Sequence, residues 1–234
     1  MEGIIIVNKP ADWTSFDVVA RIRNLSGEKK VGHSGTLDPM ATGVLPVFLG
    51  KATKSIDNFL RGDKGYLAEL TFGIRTDTLD ATGKTIQTSK VDCDMEQVAR
   101  ALLKFKGEIE QVPPMHSAIK VQGKRLYQLA RQGLVVKRDP RKVVIHKLDL
   151  LNYEAGEFPK ATIDVVCSKG TYIRQLASDI GDELGCGAHL SKLMRIYAHP
   201  FHITQAINMD TIVTLARIGR LDTILVPVEG ILNG

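Results

Sequence analysis

The sequence predicts a mixed α+β fold: a central, largely antiparallel sheet flanked by helices and loops. Three observations carry this reading. Strand-like and helix-like segments interleave irregularly, without the regular strand–helix–strand alternation that builds a parallel sheet. Two strand-like runs, KVVIHKLDLLNY (142–153) and KATIDVVCSKG (160–170), are joined by a polar turn, which favours antiparallel pairing. The 234 residues, 44% hydrophobic and 24% charged, sit near the averages for soluble globular proteins and suffice for a sizeable core.

Taken in order, GIIIVNKP (3–10) reads as a short buried strand closed by Pro10. TSFDVVARIRNLSG (14–27) reads as a helix capped by Thr14 or Ser15, with Val18, Val19, Ile22 and Leu25 facing the core and Gly27 as its stop. The loop GHSGTLDPMATG (32–43) follows, then the strand GVLPVFLG (43–50) and a short helix over 51–60. YLAELTFG (66–73) alternates as a strand does, with Tyr66 at its start. Asp94 and Gln97 have capping-box spacing and open a helix that turns Val98, Ala101 and Leu102 inward. QVPPMHSAIKVQGKRLYQLARQG (111–133) is a proline-stiffened loop running into a short basic helix. TYIRQLASDIGDELG (171–185) sets Ile173, Leu176, Ile180 and Leu184 on one helical face and ends at Gly185.

No apolar run approaches the ~20 residues of a membrane span. The N-terminus MEGIIIVNKP has an acid where a signal peptide carries positive charge. A cytoplasmic protein without membrane contact is expected. Cys93, Cys167 and Cys186 are odd in number and widely spaced, so they read as reduced thiols. The net charge of +5 is unevenly placed: from Lys120 to Lys147 nine basic residues face one acid, Asp139, leaving the remainder of the chain slightly acidic. Such a localised excess suits nucleic-acid phosphates, although a solvated surface has the same composition.

Phosphate-loop and dinucleotide-binding spacings are absent. Cys186, His189, His199 and His202 have a spacing that zinc accepts, but structural zinc sites are usually richer in cysteine, and scattered histidines around a buried thiol explain the pattern better. The loop at 32–43 is more specific. It holds one carboxylate, Asp38, among three glycines, three hydroxyls and His33. Pro39 biases the aspartate backbone away from helix, which holds the carboxylate on a stiff loop within reach of Thr36 and Thr42. Local chemistry leaves two readings open: a functional carboxylate, or an Asx-turn that satisfies only its own backbone. Arg174 lies in the first turn of its helix, against the positive end of the macrodipole, and calls for an anion, either a phosphate or a carboxylate such as Asp38. Tyr66 and Tyr172 suit either the core or stacking on an extruded base.

Together these segments resemble the bacterial tRNA pseudouridine synthase B family. The resemblance is carried by GHSGTLDPMATGVLPVFLGKATK (32–54), with NKP and TS near the start, GYLAELTFGIRTDTLDATG, QVPPMHSAIKVQGKRLYQLAR, VVCSKGTYIRQLASDIG and GAHLSKLMR in the family's order. It implies the pseudouridine synthase fold as a single catalytic domain over 1–234, with a basic RNA-clamping insertion at about 107–147. It implies isomerisation of uridine 55 in the tRNA T-loop, after base flipping, with no cofactor and no metal. Asp38 is then the essential aspartate, His33 the wedge entering the T-loop, and Tyr66 the ring against the target base. Arg174 pairs with the catalytic carboxylate, and Tyr172 and Leu193 line the pocket. Lys120, Lys124 and Arg125 contact RNA from the insertion, and Lys9 and Pro10 match a motif with a structural role. The implied partner is tRNA, through T-loop and stem, and a monomer is expected.

Two alternatives stay open: an RNA-binding protein that folds tRNA, and a pseudouridine synthase acting at a different RNA site. The chain departs from the family pattern at Asp12, Met194 and His199, where glycine, arginine and glycine are usual. No C-terminal PUA domain is expected after LVPVEGILNG.

Overall fold

An unbroken apolar run builds the first strand: Ile4, Ile5, Ile6 and Val7 are all buried in β1 (Gly3–Lys9). The computed structural model describes residues 1–231 except 118, 122, 131 and 230, and gives the backbone alone for Lys120, Val121, Arg125 and Tyr127. Two compact units emerge, one from Met1–Tyr66 with Leu193–Gly234, the other from Leu67–Lys192.

In the first unit, α1 (Ser15–Ser26) forms as expected, and Thr14 is its cap. Its hydroxyl accepts from Asp17 N (3.0 Å) while the Asp17 carboxylate accepts from Thr14 N (2.8 Å), a reciprocal arrangement in which the cap alone contributes ~1 kcal/mol. Gly27, in the left-handed region at φ 70°, stops it. The next strands are β2 (Val31–His33) and β3 (Thr42–Leu49). The helix expected over 51–60 is a correction: it starts as a 3-10 segment, Gly50–Ser55, and becomes α2 only at Ile56–Leu60. Thr53 Oγ1 donates back to Gly50 O (2.7 Å), a local bond that competes with α geometry.

Strand β4 (Lys64–Phe72) carries the chain from the first unit into the second. There the chain forms the hairpin β5 (Ile74–Thr76) and β6 (Thr85–Thr88), then α3 (Met95–Leu103), whose Asp94–Gln97 capping box is present as expected. After β7 (Gly107–Gln111) comes a small hairpin, β8 (Lys120–Val121) with β9 (Lys124–Arg125), leading to the short helix α4 (Leu126–Ala130). Strands β10 (Arg141–Glu154) and β11 (Lys160–Cys167) pair antiparallel as the polar turn predicted. Helix α5 (Ile173–Glu183) buries Ile173, Leu176 and Ile180. The long strand β12 (Ala188–Ala198) returns to the first unit, which closes with β13 (Phe201–His202), β14 (Ile207–Asn208) and α6 (Met209–Arg217).

Sheet order in the first unit is β14-β1-β3-β12, with β1 antiparallel to β3 and β12 parallel to it at Met194↔Thr42 and Arg195↔Gly43. In the second unit the order is β4-β11-β10-β7, with β10 antiparallel to both β11 and β7. The largely antiparallel α+β class is therefore the one observed. Three rings anchor the first unit's core: Phe48 to Phe59 at 5.1 Å and Phe59 stacked on Phe201 at 5.7 Å, over Ile4, Ile6 and Val44.

Candidate active site

The loop bearing Asp38 is tied on both sides of that residue. Before it, Leu37 N donates to Ser15 Oγ (2.9 Å) and Ser15 Oγ donates to Leu37 O (3.2 Å), so the start of α1 grips the loop. After it, Pro39 O accepts from Asp12 N (2.9 Å) and from Lys9 Nζ (3.0 Å). A half-exposed carboxylate thus stands between two anchored neighbours. Asp12 adopts φ 64°, a left-handed conformation that aspartate tolerates better than most residues.

Lys9 is fully buried at the end of β1 and donates to Pro10 O (2.7 Å), Trp13 O (2.5 Å) and Pro39 O. Burial pushes its ammonium down to about 8, against the opposing pull of Asp12, Asp38 and Asp17. His33, at the end of β2, has a buried Nδ1 without a hydrogen-bond partner among the described residues. Burial, with Arg195's charge as the lesser cause, lowers its pKa and favours the neutral imidazole.

Sequence reasoning does not single out Arg195, yet its side chain is among the most buried in the protein. Its Nε donates to Val44 O (2.7 Å) and its Nη2 to Gly35 O (3.0 Å), and the Tyr66 phenol is its electrostatic neighbour. Tyr66, in β4, is itself buried, as is Leu193, two residues before Arg195 in the strand. Strand alternation was the available signal: positions 193 and 195 face one way, and an arginine in register with a buried leucine needs internal acceptors. At residue 199 the histidine Nδ1 is 2.8 Å from Tyr197 Oη.

The second unit holds Tyr172, Arg174 and the basic segment. Arg174, in the first turn of α5, pairs with Asp80 at 3.7 Å and donates to Thr78 O (3.2 Å) and His116 O (2.9 Å). Asp80, which nothing in the sequence pattern marks, accepts from Thr78 Oγ1 (2.7 Å), Thr82 N (3.0 Å) and Thr82 Oγ1 (2.6 Å). The Tyr172 main chain is bracketed by buried Gln111, which accepts from its N–H at 3.0 Å and donates to its O at 3.3 Å.

Among the basic residues, Lys124 and Lys137 are exposed, whereas Lys142 pairs with Glu108 (2.7 Å) and Lys147 with Asp164 (2.6 Å). The Lys120 and Arg125 side chains, expected to contact RNA, lie outside the described residues, as does all of Arg131. A cavity of about 620 Å³ in this unit is lined by Cys93, Cys186, Lys104 and Glu183 among others, and by none of the expected site residues. Among the described residues no three metal-type side chains are grouped to hold an ion, and no helix is long and apolar enough to cross a membrane.

The fold is shared with a chain in the crystal structure of a Cbf5–Nop10–Gar1 complex, at 30% identity and TM-score 0.76 over 96% of this chain and 60% of that one. A chain in an H/ACA RNP bound to a substrate RNA containing 2′-deoxyuridine matches at 28% identity and TM-score 0.71, over 94% of this chain and 55% of that one. This chain therefore spans little more than half the length of those. The fold is that of a pseudouridine synthase. Residues 23–173 match the TruB family pseudouridylate synthase N-terminal domain, and residues 174–233 the tRNA pseudouridylate synthase B C-terminal domain. The chain belongs to the TruB family. It is 51% identical to tRNA pseudouridine synthase B of Symbiobacterium thermophilum, over 90% of this chain and 71% of that protein. The protein of the same name in Dechloromonas aromatica is 45% identical, over 100% of this chain and 77% of its own length.

Proposed function

We propose that this protein converts uridine to pseudouridine in tRNA, at position 55 of the T-loop, with Asp38 as the essential catalytic residue. The observation that carries the reading is the setting of Asp38: a half-exposed carboxylate on a loop anchored through Leu37 and Pro39, in a chain of the TruB family. Relatives named tRNA pseudouridine synthase B, at 45–51% identity, favour tRNA as the substrate.

The rearrangement breaks the bond from N1 to C1′, turns the uracil and joins C5 to C1′. The proton lost from C5 is balanced by one gained at N1, so the composition and the overall oxidation level of the nucleoside are unchanged. The base must leave its stack before these atoms are reachable. His33 wedges into the opened loop as a neutral imidazole, Tyr66 packs on the flipped base, and Tyr172 and Leu193 wall the pocket. Asp38 acts as a nucleophile at the sugar or at the uracil, or as a base removing a sugar proton, with Arg174 orienting its ionised form. Removal of the C5 proton completes the reaction, and Tyr66 is the candidate to take part. The segment at about 107–147 closes over the RNA, with Lys120, Lys124 and Arg125 on phosphates.

The test is chemical. Unmodified tRNA treated with the protein is digested to nucleosides and its pseudouridine quantified, with the position mapped by reverse transcription after carbodiimide treatment. One pseudouridine at position 55 is expected. A tRNA that is bound but unchanged contradicts the reading.

A further inference from the structure

Arg195 lies in β12 with about 1% of its surface exposed. A guanidinium taken this far out of water gives up most of its hydration, so its presence asks for a reason. Its partners supply one. Nε reaches Val44 O and Nη2 reaches Gly35 O, and these two residues bracket the loop whose middle is Asp38. The main chain of Arg195 sits opposite Gly43, where φ is 100° and an added Cβ would lie 2.2 Å from Arg195 O. Only glycine lets the loop end approach so closely. The same guanidinium has the Tyr66 phenol as its electrostatic neighbour. A planar fork with several donors spans two separated carbonyls at once, which a lysine ammonium on a flexible stem does not reproduce.

We propose that Arg195 is a positioning residue for the isomerisation, tying both ends of the Asp38 loop to the Tyr66 phenol so that carboxylate and ring keep a fixed relation. This rests on the roles proposed for Asp38 and Tyr66. Arg195 itself acts through them.

The test uses the full chain with Arg195→Lys and Tyr66→Phe, separately and combined. In Arg195→Lys, kcat falls by about 10²-fold, as small misplacements of reacting groups do. Its tRNA Kd stays within about twofold of wild type, because binding surfaces are untouched. The combined variant loses no more than the worse single one, the mark of two residues acting as a unit. A second readout is independent of turnover. In protein labelled with 3-fluorotyrosine, the Tyr66 resonance, assigned by its loss in Tyr66→Phe, moves in Arg195→Lys while that of Tyr153 does not. Wild-type protein without synthase activity defeats the functional reading and leaves this spectroscopic test standing. An unmoved Tyr66 resonance, or kcat losses that simply multiply, overturns the positioning role. If Arg195→Lys does not fold, the Nε–H resonance of Arg195 in Tyr66→Phe decides: a shift supports the tie, and an unchanged signal overturns it.

Discussion

Arg174 and Asp80 face each other at 3.7 Å, and each side chain is only 6% exposed. A cation in the first turn of α5 opposes the helix macrodipole, and Asp80 supplies charge of the compensating sign within the same unit. Asp80 also gathers the turn around it, accepting from Thr78 Oγ1 and from Thr82 N and Oγ1.

Asp80→Asn keeps the shape and removes the charge. Removing the charge from one side of a buried pair weakens the hold on the other, so the variant loses about 2 kcal/mol of unfolding free energy. Urea denaturation measures this directly. A loss under about 0.5 kcal/mol would mean that Asp80 contributes little to holding Arg174.

Binding of tRNA is expected to depend on the basic segment. Neutralising Lys120, Lys124 and Arg125 together weakens binding and flattens the plot of log affinity against log salt by roughly 0.7–0.9 for each phosphate no longer neutralised. Lys142→Gln changes the slope little, because Lys142 already bonds Glu108, which also raises its pKa. Fluorescence anisotropy across a salt series distinguishes the triple variant from Lys142→Gln, and equal slopes in both would place the RNA elsewhere.

Lys9 makes a prediction in pH. Its native pKa of about 8 lies below the ordinary 10.5. Between those values the unfolded chain holds a proton that the native protein has released, so this residue's contribution to stability rises with pH from about 8 to 10.5. The contribution is lost as pH falls back through that window and does not change further below it. Urea unfolding at pH 8, 9 and 10 should show wild type gaining on Lys9→Met across the series. Parallel curves would contradict the lowered pKa.

Local signals make much of the fold legible. The helix at α1 announces itself through Thr14, Asp17 and Gly27, and the α3 box through Asp94 and Gln97, because caps are written in residues three apart. The first turn after β3 departs from the expected helix because the Thr53 back-bond to Gly50 is a matter of geometry that composition does not display. In the loop at 32–43, Asp38 stands out as a lone acid among glycines and hydroxyls. Asp80 and Arg195 do not stand out, since each is defined by fold geometry: Arg195 meets Gly35 and Val44 across 160 and 151 positions. The need of Arg174 for an anion is readable, but its pairing with Asp80 requires the fold.

The measurement closest to the central claim is tritium release from C5-labelled uridine in an unmodified tRNA. Wild-type protein should release tritium, with release abolished both by Asp38→Asn, which leaves tRNA binding intact, and by replacing the uridine at position 55. Undiminished release from the Asp38→Asn protein would contradict the account.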